Sequence, residues 1–181
     1  MKNRFKDDYR ETARLDSRGR AVRGYDYVGR IYVLPFDGKK KRRTVWITLL
    51  YALGLTAVQV AAGLLNPDSS HTFWIVYPYL FIYLPLFYAF FGVYAYAEAT
   101  TRMQSVQYEH GLVRIRRSFV AVMVLAALNV VLDVAYMIVH RGEIRLGVEL
   151  AYCLMFVLLI VGVICYGRFY DRNFGGIVVE E

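Results

Sequence analysis

Four long apolar runs alternate with polar segments along the chain, at approximately Thr44–Leu65, Phe73–Ala97, Phe119–Val139 and Val148–Gly167. Each is close to the ~20 residues that a helix needs to cross a hydrocarbon core of about 30 Å. Lipid offers no partner to an exposed backbone amide, so runs of this kind are expected as helices. The loops between the first and second runs, Asn66–Thr72, and between the third and fourth, His140–Gly147, are only a few residues long. Short loops pack sequential helices antiparallel, so the predicted fold is all-α, a polytopic membrane protein with a four-transmembrane-helix antiparallel bundle.

The polar positions divide the rest of the chain. Residues 1–43 form a basic arm, 44–167 the bundle and 168–181 a tail. Residues 1–24 are charged and poor in apolar side chains, the composition of a segment expected to stay disordered. Residues 25–38 differ, with Tyr25, Tyr27 and the run Ile31–Phe36 ended by Asp37-Gly38. That pattern predicts an extended segment or a short strand. Between the second and third runs, helix two is expected to continue from Glu98 to about Tyr108. A turn at Glu109-His110-Gly111 would follow, making a protruding helical hairpin.

Composition sharpens this reading. Of 181 residues, 57% are hydrophobic and 20% charged, and the mean hydropathy is +0.35, more apolar surface than a soluble core of this size requires. The arm holds 14 of the 22 Lys and Arg residues, so the basic character is local. Lys39, Lys40, Lys41, Arg42 and Arg43 abut the first run. Arg102, Arg114, Arg116 and Arg117 lie in the longer connection, and Arg168 and Arg172 follow the last run. Basic residues are retained on the cytoplasmic side, which predicts both termini there. The Lys39–Arg43 run is also expected to touch anionic lipid headgroups. It abuts the bilayer and belongs to no recognised nucleic-acid module, so nucleic acid is not an expected partner.

Candidate chemistry is sparse. Asp133 is the ionisable residue inside a run, where a charge is rare and faces the bundle interior or a cavity. Asn129 and His140 fall on the same helical stripe, and Glu149 opens the fourth run at a similar depth. Asn129, Asp133, His140 and Glu149 are therefore the candidate ion, proton or polar intramembrane site, with Glu149 able to pair Arg141 or Arg145. Pro78 and Pro85 share one face of helix two and are the candidate hinge. Ala57 and Ala61, with Gly54 and Ala62, offer a small-residue face for close helix approach, beside the polar Gln59. Cys153 and Cys165 stand twelve positions apart on one helix, about 18 Å, which excludes a disulfide between them. His71, His110 and His140 sit in separate connections, and no catalytic motif occurs, so neither a metal, a cofactor nor an enzymatic reaction is expected.

Two functional readings follow. In the first, the chain is a non-catalytic subunit that binds other membrane proteins through its helix surface and its Tyr-rich arm, where Ile31, Tyr32, Val33, Leu34 and Phe36 make the partner contact. In the second, it is a small oligomeric transporter or channel that uses Asp133. An enzyme acting on lipid would need Asp133, Glu149 and His140 to converge.

Overall fold

The structure, a computed structural model, describes residues 8–15, 21–140, 142 and 144–180. Four helical spans in it are long and apolar enough to cross a membrane, Gly38–Leu64, Phe73–Glu98, Ser105–Val139 and Leu146–Phe174, as a multi-pass membrane protein requires. The first is helix α1, Gly38–Leu64. The second is two helices, α2 (Phe73–Phe81) and α3 (Tyr83–Glu98). The third joins a short α4 (Ser105–Tyr108), a π-helical turn Glu109–Val113 and the long α5 (Arg114–Val139). The fourth is α6, Leu146–Phe174. Helix α1 packs on α3 and α6, and α5 packs on α2, α3 and α6, so the spans close into a four-membered ring.

The helices outrun the apolar runs at the basic end. Lys39–Arg43 lies within the first turns of α1, because Lys and Arg favour helix and nothing after Gly38 interrupts it. The tail is shortened likewise, since α6 continues to Phe174. At the opposite end α1 stops at Asn66, whose positive φ of 45° is a left-handed cap, followed by Pro67.

The connection between the second and third spans departs from the expected helical hairpin. Helix α3 ends at Glu98, where Lys41 of α1 donates to the carbonyls of Ala97 (3.1 Å) and Ala99. The β-branched pair Thr100-Thr101 follows, the Thr100 hydroxyl bonding the Arg102 carbonyl, and the chain runs extended. Glu109-His110-Gly111 makes no reversal. Gly111 instead lets the π-helical turn lie directly on α3, where a β-carbon would come 3.3 Å from the Tyr96 backbone.

Among the described residues, five strands cover the basic end. Strands β1 (Tyr9–Leu15) and β2 (Ala21–Tyr27) pair antiparallel, with Tyr9 opposite Tyr27 and Glu11 opposite Tyr25. The expectation of disorder over residues 1–24 is corrected for these segments. The reason is cross-strand pairing that composition does not reveal: Tyr9 and Tyr27 meet edge to face at 5.3 Å, and the Tyr25 hydroxyl donates to Glu11. Residues 1–7 and 16–20 lie outside the described residues. Strand β3 (Ile31–Val33) is the centre of a second sheet, between β4 (Arg102–Gln104) and β5 (Val178–Glu180), both antiparallel to it.

That sheet consumes the arm's apolar patch. Tyr32 stacks flat on Tyr108 at 4.1 Å, Leu34 is buried, and Phe36 packs against Phe174 at 5.9 Å. Ile31, Tyr32, Val33, Leu34 and Phe36 are thus engaged by their own chain, with Leu34 buried and the other four half-buried. An apolar strand beside two unpaired strand edges finds its cheapest burial there.

Candidate functional site

At the end of the bundle away from the basic residues, three elements bring polar groups together. Asp133 sits six residues before the end of α5, about 9 Å inside it, and Glu149 lies in the first turn of α6. Both are fully buried, at 0% exposure. The two carboxyls interact across the α5–α6 contact, and the Ser69 side chain faces Asp133 as well. Ser69 belongs to the single turn of 3₁₀ helix, Asp68–His71, that joins the first two spans and folds over the ring.

Hydrogen bonding satisfies this cluster only in part. Glu149 Oε1 accepts the Ser69 backbone N–H at 2.9 Å. Glu149 Oε2, both Asp133 oxygens and the Ser69 hydroxyl have no hydrogen-bond partner among the described residues. Asn129, one turn deeper, donates to the Leu125 carbonyl at 3.0 Å, and its own oxygen is likewise unmatched. Two buried carboxyls facing each other need a positive charge or a proton beside them.

Arg145, one of the two arginines expected beside Glu149, does not supply that charge. Arg145 turns outward to Asp68, with its backbone N–H on Oδ2 at 2.9 Å and its guanidinium on Oδ1 at 3.1 Å, and also donates to the Asn66 carbonyl at 2.9 Å. Those bonds hold the Asp68 carboxyl below the usual carboxylate range, the Arg145 backbone bond first and its side chain second. Arg141 lies outside the described residues. His140 is also diverted. Helix α5 has ended there, and its ring stacks on Tyr136 at 4.2 Å, with Nδ1 3.2 Å from the Tyr136 carbonyl. Convergence of Asp133, Glu149 and His140, the requirement for a lipid-modifying enzyme, is therefore not met.

Sequence reasoning missed the inner wall of the site. Tyr152, buried one turn after Glu149, lies within electrostatic reach of Asp133, Glu149, Tyr79 and Tyr83, its ring 6.3 Å from that of Tyr79. The Tyr79 and Tyr83 hydroxyls are 3.0 Å apart, and Tyr79 OH also donates to the Gln59 carbonyl at 3.3 Å. The spacing of four between Tyr79 and Tyr83 was a signal, hidden among the many tyrosines of that span. Gln59 Nε2 in turn donates to the Tyr79 carbonyl at 2.9 Å, next to the interruption at Ile82 between α2 and α3. Pro78 and Pro85 flank that interruption, each removing a backbone donor from the span.

Below the polar centre, toward the basic end, the interior is apolar. Ala52, Leu55, Leu86, Val122, Ala126, Phe156 and Leu159 are buried there. Polar contact resumes only at Thr48, which faces Tyr166, and Thr44, whose hydroxyl is 2.7 Å from that of Tyr96. From Gln59 to Thr48 is about 16 Å along α1. The buried face of α1 runs through Thr48, Ala52, Leu55, Gln59 and Ala62. The Ala57 side of the small-residue face points outward instead.

At the basic end, Lys39, Lys40, Arg42 and Arg43 are exposed, whereas Lys41 is half-buried and donates to the end of α3. Among the described residues, no group of three or more His, Cys, Asp or Glu side chains could hold a metal ion. Both cysteines are free. Comparison of the chain with protein-family models, with curated proteins and with solved structures gave no match.

Proposed function

We propose that the chain is a small membrane protein that binds a proton or a monovalent cation at Asp133 and Glu149 and couples that binding to transport. The observation that carries this reading is the pair of fully buried carboxyls from α5 and α6, left with open oxygens and no basic partner among the described residues. A pair kept for structure would be matched with donors, because an unmatched buried polar group costs about 1–3 kcal/mol. Tyr152, Tyr79 and Tyr83 supply hydroxyls on the inner side of the same centre. With the basic end cytoplasmic, the site lies toward the outer face, covered by the Ser69 turn. The apolar layer below it separates it from the cytoplasm, so transport requires movement of the spans, and the Pro78–Pro85 interruption is the joint on which they would turn.

Proteoliposomes test it directly. Imposed proton and sodium gradients are followed by pH-sensitive dye and by sodium uptake, in wild type, Asp133→Asn and Glu149→Gln. Flux in the wild type that falls to protein-free background in both variants supports the reading. Flux that persists in Asp133→Asn removes it.

A second reading, an accessory subunit that binds other membrane proteins, is favoured by one observation. Phe73, Tyr77, Leu80, Leu84, Phe87, Phe91 and Tyr94 are all exposed and recur at alternating spacings of four and three along the second span. That period suits a seam against another helix. Replacing Tyr77, Phe87 and Phe91 by Leu would release a partner that co-purifies in mild detergent; recovery of the partner unchanged removes this reading.

A further inference from the structure

Away from the carboxyl site, an apolar groove of about 530 Å³ runs along the outer seam of α1 and α6, between Leu50, Gly54 and Val58 on one side and Leu158, Val161 and Gly162 on the other. The helices meet at its floor, where a β-carbon on Gly162 would come 2.8 Å from Leu55. Below that floor the stripe that lines α1 continues through Ile47 to Arg43, and the stripe on α6 through Cys165 to Arg168 and Arg172. Measured from the Leu55–Gly162 contact, Arg43 lies about 18 Å and Arg172 about 15 Å toward the basic end. The two arginines therefore flank the groove's mouth at nearly the same height, with Arg168 one turn further in.

All three arginines are exposed, and none joins an ion pair among the described residues. The nearby carboxylate of Asp171 is taken by Arg116, at 3.7 Å. An apolar slot that opens onto a cluster of unopposed guanidinium groups matches one chemistry, a hydrocarbon chain carrying an anionic phosphate at its end.

We propose that this groove is a specific binding site for an anionic diacyl phospholipid, with one acyl chain beside Gly54 and Gly162 and the phosphate between Arg43 and Arg172. It is distinct from the diffuse attraction of the whole basic run. Gly54 keeps the slot open, since nothing lies within 4 Å of where its β-carbon would be.

Trp46, exposed at 56% and one turn from Arg43, reports on the mouth. The chain has two tryptophans, so in the full-length Trp74→Phe protein Trp46 is the sole fluorophore. The protein is placed in phosphatidylcholine vesicles with a minor fraction of phosphatidylglycerol, and the bromine quencher is carried on the acyl chains of one lipid at a time. Brominated phosphatidylglycerol is expected to quench Trp46 more than the same fraction of brominated phosphatidylcholine. Arg43→Gln and Arg172→Gln each lower that preference about fivefold. Gly54→Phe, which fills the slot with the arginines intact, abolishes it, and Lys39→Gln with Lys40→Gln leaves it in place. Equal quenching by the two lipids overturns the proposal. So does a preference that survives Arg43→Gln with Arg172→Gln and disappears with the two lysines. Loss of all quenching together with cross-linking of copies through Gly54→Cys identifies a second copy as the occupant and overturns it too.

Discussion

The backbone N–H of Ser69 donates to Glu149 Oε1 at 2.9 Å, tying the turn between the first two spans to the head of the last one. That bond satisfies one oxygen of four in the Asp133–Glu149 pair, and the other three have no partner at full hydrogen-bond geometry among the described residues, although the Ser69 side chain faces Asp133. A carboxyl pair in this state is a poor structural element, which fixes the sign of its effect on stability.

Asp133→Asn should therefore stabilise the protein while removing the transport proposed for this site. The amide brings a donor to Glu149 and removes one of two facing acids, a gain on the order of 1–3 kcal/mol. The check is the thermal unfolding midpoint in detergent beside proteoliposome flux. A fall in both would make the pair structural.

On the rim of the same end, Asp68 and Arg145 predict an acid dependence. Arg145 holds the folded-state pKa of Asp68 below its ordinary value. A depressed carboxylate pKa contributes stability that is present above the unfolded value, about 3.9, and is lost as pH falls through the lower folded value. The unfolding midpoint of the wild type should thus drop on acidification below about pH 4. Asp68→Asn should start lower at neutral pH and lose that part of the slope, whereas Glu98→Gln, at the other end of the bundle, should keep it.

The four spans were legible because ~20 apolar residues in a row admit one solution in lipid. Asp133 and Glu149 were legible for the same reason, as acids where acids are costly. The break after Glu98 was not, since Arg102–Gln104 leaves the helix to pair with Ile31–Val33, a partner far along the chain that local propensity cannot see. Nor was the arm's fate, because β3 buries Tyr32 and Leu34 only when β4 and β5 arrive on either side. Within the site, helical spacing placed Asn129 and Asp133 on one face correctly and failed for His140, where the helix itself stops.

Packing at Gly63 predicts a suppressible defect. A β-carbon there would lie 2.1 Å from the Tyr79 hydroxyl, which Gly63 admits to the Gln59 carbonyl. Gly63→Ala must push Tyr79 aside, at a cost of about 1–3 kcal/mol. Removing the hydroxyl with Tyr79→Phe relieves the clash, so the double variant should be more stable than Gly63→Ala alone. Additive losses in a double-mutant cycle would show that the two positions do not meet.

Lys41 is the last case, and its effect should be confined to one helix end. Its ammonium donates to the Ala97 and Ala99 carbonyls and lies 5.5 Å over the Tyr96 ring, so it serves as the C-terminal cap of α3 from a different span. The neighbouring Lys40 sits over Phe36 at 5.2 Å and touches no helix end. Lys41→Met keeps the aliphatic stem and removes the donors, leaving carbonyls open where the helix dipole is negative, at about 1 kcal/mol. Amide exchange should then quicken at Thr100–Gln104, which depends on that end being fixed, while the protection of α6 stays as it was. Lys40→Met should change neither, and equal effects from the two lysines would reduce Lys41 to one more surface charge.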